Sequence, residues 1–130
     1  MSSSIEITPV APADVNLIRG YGNGGFRIGA GDHEPGSVIV FPERWVQWRH
    51  PAVNEISANN LEPVIDVASD IDILVFGCGA TFCPIPKPLR DGLREHGIVL
   101  EWMDTGAACR TFNVLLTENR QVAAALIATD

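Results

Sequence analysis

The feature that most constrains this chain is a strand–helix–strand pattern in its second half. Ile71-Asp72-Ile73-Leu74-Val75-Phe76 is a buried-strand run, and Ile98 to Met103 is another. Between them, Pro88 to His96 reads as a helix with Leu89 and Leu93 inward and Gly97 as its C-terminal stop. Strands joined by such a crossover run parallel, so their C-terminal ends share one edge of a sheet. Thr105 is then the predicted N-cap of a last helix, whose inward stripe is Ala108, Phe112, Leu115 and Leu116. Glu118-Asn119-Arg120 turns the chain into a final strand, Val122 to Ile127.

Upstream the punctuation is that of short strands. Asn23-Gly24 lies between two short apolar segments, the strongest local hairpin signal. Asp32-His33-Glu34-Pro35-Gly36 reads as a solvated loop. Ser37 to Phe41 is a β-branched strand stopped by Pro42, and Arg44 to Arg49 is another, with Trp45 and Trp48 on opposite faces. From about Asn60 the period changes: Leu61, Val64, Ile65 and Ala68 recur at helical spacing. Pro63 fits only the first turn, which predicts a helix starting close to Asn59 or Asn60. Residues 1–14, with Pro9 and Pro12, read as an extended arm or edge strand, and 15–130 as one domain. The expected fold class is a single three-layer α/β domain with a mixed sheet, an N-terminal β-hairpin region followed by βαβ units.

Charge and cysteine usage remove several function classes. The 9 Lys and Arg face 16 Asp and Glu, a net charge of −7 that opposes phosphate neutralisation, so no nucleic-acid partner is expected. Met1 to Ile7 carries neither a basic n-region nor an apolar h-region, and the longest apolar run, Val122 to Ala128, is far short of the ~20 residues of a membrane span. The expectation is a soluble, cytoplasmic protein. Cys78, Cys83 and Cys109 are an odd set, without zinc spacing, and His33, His50 and His96 are scattered; reduced structural thiols and no metal are expected. Gly20-x-Gly22-x-x-Gly25 matches the dinucleotide fingerprint in letters, but no helical period follows it, so no nucleotide cofactor is expected.

A site belongs at the C-terminal edge of the parallel strands, where open α/β sheets bind ligands. There Gly77 and Gly79 would let backbone approach closely, near Asp104, Thr105 and the start of the last helix. Arg110, Asn113 and Thr117 fall on the helix face away from Phe112. Two readings stay open: a structural turn with a solvated face, or a ligand or partner surface. No nucleophile–base pair is spelled out; Cys109 near a helix start is either an activated thiol or a buried, inert one. Phe82, on the proline-stiffened loop Phe82-Cys83-Pro84-Ile85-Pro86, is a candidate docking residue.

Several segments together carry a family resemblance. They are Gly20-Tyr21-Gly22-x-Gly24-Gly25-Phe26-Arg27-Ile28, Gly36-Ser37-Val38, the Trp45 region, Ile71 to Gly79, and Met103-Asp104-Thr105-x-Ala107-Ala108-Cys109-Arg110-Thr111-Phe112-Asn113-x-Leu115. The chain resembles the family of the mitochondrial respiratory complex I (NADH:ubiquinone oxidoreductase) assembly factor 3 and its bacterial and archaeal relatives. The resemblance spans about Asn16 to Ile127 and implies a three-layer α/β domain with a mixed sheet. It implies a non-catalytic assembly role, with protein partners among membrane or respiratory-complex assembly components and any membrane association running through them. The eukaryotic relatives would act on the mitochondrial matrix side. Relatives often carry a basic residue just after the Gly-x-Gly; Ala80 and Thr81 stand there instead. The alternative is a small-molecule-binding protein or enzyme with its pocket at Gly77, Gly79, Asp104 and Arg110.

Overall fold

The computed structural model describes residues 5–6 and 15–130. Most of the arm expected over residues 1–14 lies outside the described residues; its Ile5–Glu6 (β1) pairs antiparallel with Ile18–Gly22 (β2). Asn23 and Gly24 both adopt positive φ, 54° and 73°, and so make the two-residue turn into Gly25–Ile28 (β3) that the sequence announced. The dinucleotide-like glycines therefore sit in a hairpin, with no helix start to hold a pyrophosphate. His33–Pro35 (β4) pairs with β3 and completes a four-stranded antiparallel sheet, which corrects the expected loop. Pro35 is tolerated because β4 is an edge strand, where one flank needs no donor.

The larger sheet has five strands: Val38–Val40 (β5), Trp45–Gln47 (β6), Ile73–Gly77 (β7), Val99–Met103 (β8) and Val122–Leu126 (β9). Their order is β6-β5-β9-β7-β8, with β7 parallel to both β8 and β9, and β5 antiparallel to β6 and β9. It is the mixed sheet expected, and the final strand runs up its centre. All five residues of β9 are buried, and the small side chains of Ala123, Ala124 and Ala125 let both covering layers come close.

Alternation along these strands divides two cores. Ile39, Leu74, Phe76, Ala123 and Ala125 face one way, onto Trp48, Ile56, Leu61, Val64, Leu89 and Leu93. Val38, Val40, Val75, Val122, Ala124 and Leu126 face the other, onto Ala108, Phe112 and Leu116 of the helix Thr105–Thr117 (α3) and onto Leu17, Ile18, Phe26 and Ile28. Helical pieces, central sheet, and α3 with the small sheet are the three layers. The two tryptophans divide as their spacing implies: Trp48 is buried in the first core, and Trp45 packs half-buried against the second.

The helix expected from about Asn60 is broken instead. Ala58–Leu61 forms a 3-10 turn, Glu62–Ile65 (α1) one short helix, and Ala68–Asp70 a second 3-10 turn. Two local effects compete with continuity. Ser57 and Asn60 cap each other reciprocally, the Ser57 N–H donating to Asn60 Oδ1 at 2.9 Å, and Pro63 supplies no N–H for the preceding turn. The crossover helix is Lys87–Glu95 (α2), with Leu89 and Leu93 inward and Gly97 at φ 77° beyond its end.

Candidate functional site

The edge singled out in the sequence is assembled as the crossover requires, and its polar atoms are spent on holding it together. Gly77 ends β7 against α3, where a Cβ would lie 2.8 Å from Thr105 Cα. The Cys78 N–H donates to the Met103 carbonyl at 2.8 Å, and the Ile127 N–H to that of Gly77 at 3.0 Å. Thr105 lies at the junction, fully buried. Its N–H donates to the Gly79 carbonyl at 2.8 Å, its hydroxyl donates to the Ile127 carbonyl at 2.8 Å, and the Gly79 N–H donates to that hydroxyl at 3.0 Å. The ends of β7 and β9 and the start of α3 are thereby joined at one residue.

That use of Thr105 explains a correction. Asp104, not Thr105, caps α3: Oδ1 accepts the Ala107 N–H at 2.9 Å, and the Asp104 carbonyl accepts the Ala108 N–H. The carboxylate also places negative charge at the positive end of the helix dipole, which disfavours an anion there. Arg110 is exposed and reaches back to the Tyr21 hydroxyl at 3.5 Å. Asn113 is a second correction. It does not share a solvated face with Arg110 but is buried, donating to the Ile18 carbonyl at 2.9 Å and accepting the Ile18 N–H at 2.8 Å. The β2–β3 register shifts between Ile18 and Gly20, a bulge in β2, and Asn113 satisfies the Ile18 backbone beside it. Thr117 stays exposed and bonds back to the carbonyls of Asn113 and Val114.

Two of the three thiols, Cys78 and Cys109, are buried. Cys109 is fully buried and burial pushes its thiol well up, against the activated reading. Cys78 is pushed up to about 11, first by burial and then by its contact with Cys83. Among the described residues, no group of three or more His, Cys, Asp or Glu is placed to hold a metal ion.

Exposed apolar and basic groups gather on another flank. Phe82 is 67% exposed, on a loop held to the sheet by Trp102 Nε1, which donates to the Cys83 carbonyl at 2.6 Å. Phe82 and Ile85 border a cleft of about 410 Å³ with Lys87, Arg90 and Asp91 of α2. Arg90 also borders a cleft of about 540 Å³, with Arg94, Gly97, Ile98, Val99 and Leu100. A third, of about 690 Å³, lies at the opposite, N-terminal end of β7 and β9, between Phe41, Arg44, Ile71 and Arg120. The α2 flank went unread in the sequence, although Lys87, Arg90 and Arg94 at helical spacing were its signal.

Fold and surface define a mixed-sheet α/β domain with a stitched strand edge and an apolar–basic flank. The chain belongs to the family described as a protein of unknown function (DUF498/DUF598), whose match runs over residues 18–127. It is 36% identical to an uncharacterised protein of Rhodobacter capsulatus over 110 residues, 85% of this chain and 82% of that one. It is 34% identical over 115 residues to the NADH dehydrogenase [ubiquinone] 1 alpha subcomplex assembly factor 3 of Xenopus tropicalis, covering 88% of this chain and 62% of that longer protein. The crystal structure of an outer membrane protein from Bartonella henselae superposes with a TM-score of 0.80 at 36% identity, over 91% of this chain and 98% of that one.

Proposed function

We propose that this chain is a non-catalytic docking domain that assists the assembly of a membrane or respiratory complex through protein partners. Kinship with the assembly factors supports the role. The observation that carries the docking part is Phe82, a large apolar side chain left two-thirds exposed on a loop that is itself anchored by the Trp102 hydrogen bond. A rigidly presented aromatic beside a cleft is what a partner's side chains can enclose at low entropic cost. Of the groups named for the alternative small-molecule pocket, Gly79 is bonded to Thr105, Asp104 caps α3 through Ala107, and Arg110 reaches the Tyr21 hydroxyl.

The test is affinity capture from the native cell with tagged protein, read by mass spectrometry. Wild type is expected to recover respiratory-complex or membrane-insertion components, and Phe82→Asp to lose them while its circular dichroism stays native. Unchanged capture by Phe82→Asp removes this loop from the docking surface. Loss on Arg110→Ala instead moves the surface to the α3 side.

A further inference from the structure

We infer that β8 is an acceptor edge for an extended, acidic segment of a partner protein, which adds to the five-stranded sheet as a sixth strand. The inference rests on the docking reading above and names the partner's chemistry. Among the described residues, strand β8 closes one end of the sheet order and pairs on one side, with β7. The Val99 N–H donates to the Asp72 carbonyl and the Met103 carbonyl accepts the Cys78 N–H, so Val99, Glu101 and Met103 direct their backbone toward β7. By alternation, the N–H and C=O groups of Leu100 and Trp102 point outward from the sheet, a template for one more strand.

What flanks that edge selects the occupant. On the α2 side the two clefts meet at Arg90 and extend from Phe82 to Val99 and Leu100. Arg90 and Arg94 make no contact-distance ion pair among the described residues, whereas Lys87 is held by Asp91 at 2.7 Å. A chain of net charge −7 thus presents, beside an open strand edge, two exposed guanidinium groups that no described carboxylate approaches to ion-pair distance, both within the field of Asp91. Carboxylates at alternate positions of an added strand would all face α2 and could form charge-assisted bonds with both. The same alternation would place apolar residues beside Val99, which is 59% exposed.

A second copy of this chain fits less well. Antiparallel self-pairing that keeps all of Val99–Met103 in register is centred on Glu101, and sets that carboxylate directly against its copy. Glu101 thereby guards the edge against itself while leaving it open to another sequence.

The probes are fluorescein-labelled octapeptides of alternating glutamate and valine, the same peptide with alternate backbone nitrogens methylated, and a lysine–valine control. Anisotropy is expected to show saturable binding of the first only, weakened about tenfold or more in Arg90→Glu/Arg94→Glu. Hydrogen exchange is expected to slow at the Leu100 and Trp102 amides when the acidic peptide is bound. Absence of binding at millimolar peptide, equal binding of the methylated peptide, or unchanged exchange at those amides overturns the inference. A concentration-dependent dimer that protects the same amides overturns it in favour of a second copy. Peptide binding with no cellular capture would leave the edge in place and remove the assembly role. Capture lost on Phe82→Asp with no peptide binding would do the reverse.

Discussion

Asn113 shows how one residue ties distant parts of the chain together. Its amide serves both backbone groups of Ile18, 95 positions away in sequence, in a buried setting. Asn113→Ala strands a donor and an acceptor away from water, and is expected to lower unfolding stability by about 3 kcal/mol, read from the urea midpoint at constant m. Cys78 makes a pH-dependent contribution. Burial raises its thiol from 9.0 to about 11, so the folded chain keeps a proton that the unfolded chain releases. That contribution is complete below the unfolded value near 9.0 and is lost as pH rises toward about 11. Stability should fall across this window, and fall less steeply in Cys78→Ala, as urea titrations at successive pH values would show.

At the scale of elements, the end of β7 and the start of α3 act as one unit. Gly77 is required by contact: a methyl group there meets Thr105 Cα at 2.8 Å and Ala108 Cβ at 3.2 Å, both held by the helix. Gly77→Ala must push α3 from the sheet and loosen the three Thr105 bonds, a cost of about 3 kcal/mol by the usual penalty for overpacking. Calorimetry would register it as a lowered melting temperature. The sequence marked both elements and the glycine between them, because strand and helix periods are local. It misplaced the cap, since Thr and Asp both suit that position and the choice turned on the distant Ile127 carbonyl. The α1 region failed differently: its apolar spacing is helical, but Ser57, Asn60 and Pro63 break the run locally.

For the whole molecule, the central sheet divides two cores, and its strand order decides what the surface offers. A partner reading the α2 flank meets the Phe82 loop, Arg90, Arg94 and an open β8 as one continuous stretch. Sequence alone determined the class of fold, the hairpin at Asn23-Gly24, the parallel β7–β8 pair and the hydrophobic stripe of α3, because each follows from periodicity and turn chemistry within a short window. It placed Gly77, Gly79, Asp104 and Thr105 together, since a crossover forces strand ends to one edge. Tertiary structure alone decided that β9 lies between β5 and β7, that β8 is left at the edge, and that Asn113 turns inward to Ile18. Those outcomes depend on pairings between residues far apart in the chain, whose energies come from buried area and satisfied backbone groups that no local pattern encodes.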